Sequence, residues 1–172
     1  SIAAGVTNNG IGVAGVGYNA TYIPIKVFDD ENYSGGTYES ILYAAERGCD
    51  VLNLSWGSAR SAVSFYQEMI DEAVLEYDMV IIAAAGNDNN DDHFYPASYH
   101  HVLSVASTTS SDVKASFSSY GTSVDLCAPG VSIYGASNDD AYGTQNGTSF
   151  SAPIVAGAAA LVRHQFPELS AV

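Results

Sequence analysis

The run "MVIIAAA" at residues 79–85 constrains the fold more than any other stretch. It is strand-length and continuously apolar, with no polar position alternating to meet water. Such a strand needs both faces covered, as in the middle of a parallel sheet. "DVLNLS" (50–55) is a second short apolar strand, and "HVLSVAST" (101–108), "SVDLCAP" (123–129) and "VSIYGA" (131–136) add more. "ATYIPIKVF" (20–28), rich in β-branched and aromatic residues, also reads as a strand. Between these lie helical patterns. "GTYESILYAAERG" (36–48) is closed by Gly48. Residues 60–77 place Tyr66, Met69, Ile70, Ala73 and Tyr77 at helical spacing. The last helix spans about Thr148 to His164. Strands alternating with helices predict an α/β fold, a mostly parallel sheet flanked by helices. With no repeat, low-complexity tract or linker, residues 1–172 read as a single domain. At that length and 47% hydrophobic residues the chain can bury a substantial core.

Charge narrows the partners. A formal net charge of −14 repels phosphate backbones, so nucleic acid is not an expected partner. The apolar run 154–162 is too short to span a bilayer and ends in Arg163 and His164, so no membrane partner is expected. No basic segment leads into an apolar one at the start, so no signal peptide is visible. A first residue other than Met reads as a processed or excised piece. Cys49 and Cys127 each adjoin a predicted strand and read as buried free thiols, too few for a disulfide scaffold. "GIGVAG" (10–15) matches a dinucleotide fingerprint with Asp29 downstream. That fingerprint needs a helix after it, and here a strand follows within a few residues, so a glycine-rich loop is expected.

The chemistry gathers at "QNGTSFSAPIVAGAAALV" (145–162). Ser149 lies in the opening turn of the predicted last helix, with Pro153 tolerated there. A serine so placed has a free backbone N–H beside it and the positive helix end behind it. Both would stabilise an oxyanion on a carbonyl attacked by Ser149. The plainer alternative is that Ser149 only caps the helix. "GTSFS" lacks the second glycine of a nucleophile elbow, which disfavours an α/β-hydrolase. "AAAGNDN" (83–89) follows the apolar strand, with Gly86 allowing an unusual backbone and Asn87 offering an amide donor, or only a turn. "NLSWG" (53–57) ends another strand. Two strand ends and a helix start can line one cleft.

These segments together resemble the subtilisin-like serine proteases, the subtilases. "NGTSFSAPIVAGAAALV" resembles their serine motif, "AAAGND" their oxyanion-asparagine segment and "VLNLSWG" their substrate-binding segment. "YPASYHHVLSVAS", "FSSYGTSVDLCAPGVSIYG" and "NNGIGVAGVGYNATYIPIKVF" follow in the family's order. The resemblance covers essentially the whole chain. It implies a serine endopeptidase in which Ser149 forms an acyl-enzyme with a peptide substrate. The Ser149 N–H and the Asn87 amide would form the oxyanion hole. Ser55, Trp56 and Gly57 would line one wall of the pocket for the residue preceding the scissile bond, with Ala84, Ala85 and Gly86 opposite. Phe94 would fall near its floor and favour small side chains. Gly35 and Gly36 would lie near the edge that pairs with substrate as an added strand.

The family's Asp-(Ser/Thr)-Gly and His-Gly-Thr-His motifs are missing from the 172 residues. His93, His100, His101 and His164 do not fit as the base, nor Asp88 or Asp125 as the acid. The resemblance is thus to the C-terminal portion of the catalytic domain, incomplete at both ends, which implies an N-terminal part carrying Asp and His as partner. The chain alone is expected to be inactive. The alternative function is a non-catalytic peptide-binding module. "TNNGIGV" (7–13) resembles the family's calcium loop, with Thr7, Asn9, Ile11 and Val13 as ligands of a structural calcium that needs further oxygens. The carbonyls of Ala97, Tyr99 and Val102 are a weaker second candidate. Phe150 stands where many subtilases carry an oxidisable methionine. Secretion is the family expectation, and no organic cofactor is implied.

Overall fold

A computed structural model of the chain describes residues 1–28, 36–138 and 140–172. Helix α1 (Glu39–Glu46) leads into strand β1 (Val51–Leu54), followed by α2 (Ser64–Leu75) and β2 (Val80–Ala84). Then come β3 (Val102–Thr108), β4 (Leu126–Pro129), β5 (Ile133–Ala136), β6 (Tyr142–Gln145) and α3 (Thr148–Gln165). Strands β1–β4 form one parallel sheet in the order β1-β2-β3-β4. Strands β5 and β6 form a separate antiparallel pair. The α/β fold expected from the alternation is the fold observed.

The reason "VIIAA" is apolar throughout is visible in its neighbours. Ile81 and Ala83 pack with Ile41, Ala44, Ile70 and Ala73, from α1 and α2. Ile82 and Ala84 point the other way and pack with Val105, Ala152 and Ala156, the last two from α3. A period of two meets two buried faces, so both residue sets are apolar. Alanines on α3 keep its axis close to the sheet. Only its first half is buried, through Thr148, Ser151, Ala152, Ala156 and Gly157. Leu161 and Val162 are exposed, so α3 is central at its start and a surface helix beyond.

Helix α1 ends as its sequence foretells. Gly48 takes φ +73, its N–H reaches the Ala45 carbonyl at 2.9 Å, and the Cys49 N–H reaches Ala44 at 3.2 Å. That paired closure needs a residue free of the left-handed penalty.

Three expectations are corrected. Residues 20–28 do not form a strand: residues 21–28 enter no ladder among the described residues, although Ile25 packs on the core. A strand is made by its neighbour's hydrogen bonds, and no strand among the described residues flanks this segment. Residues 142–145, not read as a strand, form β6 because Ile133–Ala136 offers an antiparallel partner. The thiols are less buried than expected: Cys127 is exposed and Cys49 half-buried. Both are free, and burial followed by the Asp50 charge pushes the Cys49 thiol pKa up. The glycine-rich run 10–15 is irregular loop, with Gly10 and Gly12 at positive φ.

Candidate active site

Ser149 is not the cap of α3. Gly147 holds that position with φ +147, a conformation closed to most side chains, and its N–H bonds the Gly130 carbonyl at 2.9 Å. Ser149 therefore lies inside the first turn, where backbone N–H groups have no intrahelical acceptor. Pro153 was expected in the opening turn but lies beyond it. Having no N–H, it leaves the Ser149 carbonyl without its helical donor. The Ser55 hydroxyl fills that role, donating to the Ser149 carbonyl oxygen at 2.9 Å. Ser55 Oγ in turn accepts from Asn53 Nδ2 at 2.9 Å. The end of β1 is thus fastened to the turn that carries the serine.

Asn87 is fixed from the same turn. Its Oδ1 accepts from the Thr148 backbone N–H at 2.9 Å and from the Thr148 hydroxyl at 3.0 Å. A backbone N–H can only donate, so the atom facing Thr148 must be the oxygen. The Asn87 amide nitrogen is left for the cleft. Thr148 is fully buried, and its hydroxyl also accepts from the Gly86 N–H at 3.3 Å. Sequence reasoning assigned Thr148 no role, although the Gly-Thr-Ser motif contained it.

Ser55, Trp56, Gly57, Ala84, Asn87, Phe94, Thr148 and Ser149 line a cavity of about 230 Å³. The Phe94 ring lies against two of its glycines. A Cβ on Gly57 would collide with Phe94 Cε1, and one on Gly86 would lie 3.1 Å from Phe94 Cγ. Gly86 also has φ +106. Ala85 is 5% exposed, with its N–H on the Val105 carbonyl, so it supports the wall from behind. Trp56 packs edge-on against Tyr38 at 5.4 Å, and Tyr38 stacks on Tyr66 at 3.8 Å. Burial, with Tyr99 beside it, pushes the Tyr38 hydroxyl pKa up. Gly36 precedes α1 at φ +80, and Gly35 lies outside the described residues.

No histidine or carboxylate lines this cavity among the described residues. His101 is occupied elsewhere, its Nδ1 lying 2.9 Å from Asp71 Oδ1 on α2. His100 borders a larger hollow of about 380 Å³ between the start of α2 and Tyr95–His100, which contains none of the candidate catalytic or substrate-binding residues. Asp125 is structural, its Oδ2 accepting from the Ser104 N–H at 2.8 Å. In the 7–13 loop Asn9 Oδ1 accepts from the Ile11 N–H at 3.0 Å. Thr7 and Val13 are half-buried, while Asn9 and Ile11 are exposed. No cluster of three His, Cys, Asp or Glu suited to a metal exists among the described residues. No described helix is long and apolar enough to cross a membrane.

The family model of the subtilases matches residues 1–172. The chain belongs to the subtilase family. It is 40% identical over 168 residues to thermitase of Thermoactinomyces vulgaris, covering 95% of this chain and 59% of that protein. It is 39% identical over 172 residues to subtilisin DY of Bacillus licheniformis, covering 95% of this chain and 61% of that one. An extracellular protease of Xanthomonas campestris is 36% identical, with 95% and 31% covered. A solved protease of Pseudoalteromonas arctica superposes with a TM-score of 0.91 at 32% identity, covering 98% of this subtilase chain and 58% of that one. A cold-adapted subtilisin-like serine proteinase superposes at 0.83 and 33% identity, with 91% and 58% covered. The chain spans between 31% and 61% of the length of these curated relatives.

Proposed function

We propose that this chain is the serine-bearing part of a subtilisin-type endopeptidase, with Ser149 as nucleophile and the Ser149 N–H and Asn87 Nδ2 as oxyanion donors. One observation carries the reading: Thr148 holds the Asn87 amide by its oxygen, leaving the nitrogen free beside the serine turn. Fixed donors of this kind stabilise charge as it develops, without reorganising at the moment of reaction. Ser149 Oγ attacks the scissile carbonyl carbon, the carbonyl oxygen becomes the oxyanion, and the hydroxyl proton passes to a base. The leaving amine takes that proton, and water then hydrolyses the acyl-enzyme by the reverse transfers.

The base and its orienting acid come from an N-terminal part carrying the histidine and aspartate motifs. The outer edge of β1 supports this. β1 pairs only with β2 among the described residues, leaving an open ladder. Next to it, Asn53 Oδ1 is a buried acceptor with no hydrogen-bond donor. Such an atom is costly unless a partner supplies one. Substrate is a peptide or protein chain. Phe94, packed against Gly57 and Gly86, limits the depth of the pocket and favours small side chains before the scissile bond. Phe150 in place of methionine makes the enzyme resistant to peroxide.

The oxygens of Thr7, Asn9, Ile11 and Val13 are hard donors of the type calcium takes. Four fall short of the six to eight it requires, so the remaining ligands come from the N-terminal part. Bound calcium would serve to stiffen the loop. The protein acts outside the cell, as the name of its Xanthomonas relative states for that protein.

The test is labelling with a fluorophosphonate. The chain alone is expected to stay unlabelled and to hydrolyse no peptide. Mixed with the segment carrying the histidine and aspartate motifs, it should become labelled at Ser149. Failure to label in the mixture, despite peptide binding in the cleft, would establish the non-catalytic binding module instead.

A further inference from the structure

The loop after β2 carries Asn87, and its neighbour across the surface is the turn 115–120. Ser119 brackets Asn87 on both sides. The Ser119 N–H donates to the Gly86 carbonyl at 3.0 Å, and the Asp88 N–H donates to Ser119 Oγ at 3.4 Å. The zipper continues outward. The Asn89 N–H reaches the Phe117 carbonyl at 2.9 Å, and the Tyr120 N–H reaches the Asn90 carbonyl at 3.0 Å. Asn89 holds φ +49 to make this fit.

At the centre of the zipper sits an ammonium group. Lys114 Nζ donates to Asn89 Oδ1 at 2.7 Å, to the Ser118 carbonyl at 2.9 Å and to the Ala115 carbonyl at 3.0 Å. It also lies 5.2 Å from the centroid of the Tyr120 ring. An ammonium has three donors and no acceptor, and here all three have oxygen partners. One comes from the Asn87 loop and two from the turn that brackets it.

We propose that Lys114 is a positioning residue for the oxyanion donor: a tethered cation in an oxygen cradle that locks the Asn87 loop to the 115–120 turn. Its effect reaches the reacting atoms only through Asn87, so the proposal rests on the reading of Asn87 given above. Three carbonyl-type oxygens converging on one point repel one another once the cation is gone, and the turn and loop then part. Thr148 fixes the Asn87 side chain from α3, and Lys114 fixes the backbone beneath it.

Amide hydrogen exchange on the 172-residue chain tests the lock. Lys114→Met keeps the aliphatic stem and removes the charge. It is expected to speed exchange at Asn89 and Tyr120 by about tenfold while the core amide of Ala85 keeps its protection. In Lys114→Ala, ammonium chloride should restore part of that protection and tetramethylammonium chloride, which has no N–H, should not. Unchanged loop exchange in Lys114→Met, or equal effects of the two salts, overturns the proposal. Should Lys114→Met not fold, Lys114→Ala refolded in each salt gives the same comparison.

A kinetic arm uses the chain combined with its histidine- and aspartate-bearing segment. Lys114→Met is expected to lower kcat by about tenfold with KM unchanged, less than the 10²–10³ for outright loss of a donor. Lys114→Arg, which keeps charge and donors, should recover most of it. A loosened loop with unchanged kcat overturns the positioning role. If Asn87→Ala itself leaves kcat unchanged, it is the oxyanion reading that fails, and the exchange result stands apart from it.

Discussion

Residues 79–85 and 20–28 both read as strands and meet different fates. "MVIIAAA" becomes β2, hydrogen-bonded to β1 on one side and β3 on the other, with helices over both faces. "ATYIPIKVF" stays outside any ladder among the described residues, with Tyr22 73% and Ile23 50% exposed. Propensity says what a segment is able to become, and a neighbour decides whether it does. The contrast extends to the whole chain. The end built by β2, β3 and the start of α3 is closed, with the hydroxyls of Ser107, Ser118, Ser119, Ser151 and Thr148 all hydrogen-bonded. The outer edge of β1, the strand that carries the orphaned Asn53 Oδ1, is open among the described residues, and residues 21–28 join no ladder.

The sharpest way to break this contrast is a pair of isoleucines. Ile81→Ala, at a fully buried position, should cost about 2–5 kcal/mol of stability. Ile23→Ala should stay within roughly 0.5 kcal/mol in denaturant titration. A large loss at Ile23 would show that the open side is packed after all. The closed end can be probed by chemistry as well. In the combined enzyme Asn87→Ala should lower kcat by about 10²–10³, the range for such a donor in a subtilisin. Thr148→Val, which keeps the backbone bond to Asn87 but removes the hydroxyl shared by Asn87 Oδ1 and the Gly86 N–H, should cost about 1–3 kcal/mol.

Two glycines give a steric version. A Cβ on Gly130 would collide with the hydroxyls of Ser107 and Ser151, which bond each other at 2.7 Å beneath the serine turn. Gly130→Ala should therefore destabilise by about 1–3 kcal/mol. Gly143→Ala in β6 meets nothing within 4 Å and should be close to neutral in the same thermal melt.

The smallest effect is one of pH. Arg163 Nη2 bonds Asp78 Oδ2 at 2.7 Å, and the Ala171 N–H bonds Asp78 Oδ1 at 2.7 Å, so the C-terminal tail is held to the α2–β2 turn. The Arg163 hydrogen bond, then the Ala171 amide, hold the Asp78 carboxyl below its ordinary value of 3.8. A lowered folded pKa stabilises above the ordinary carboxylate range, and the contribution fades as pH falls through the lowered value. Asp78 is half-exposed, although Arg163 is largely covered, so the loss should remain about 1 kcal/mol or less. Melting curves across acidic pH should show a shallower decline in Arg163→Leu.

Much of this was legible in the residues. The two-faced apolar run predicted β2, the glycine after α1 predicted its closure, and the serine and asparagine motifs named the two ends of the cleft. What the sequence could not convey was partnership. It offered Ser149 as a cap, and the backbone of Gly147 took that place. It put Pro153 in the opening turn, and tertiary structure instead left a carbonyl for Ser55 to satisfy. Thr148 could be read as part of a motif but not as the group that turns the Asn87 amide, because that depends on two segments far apart in the chain meeting at hydrogen-bond distance.

Local composition, periodicity and special backbone residues therefore determined most of the elements and marked the candidate reactive groups. Which way Asn87 points, how Lys114 is occupied and why residues 21–28 join no ladder among the described residues were decided only in three dimensions. Hydrogen bonds are made between groups, and a single segment contains just one side of each.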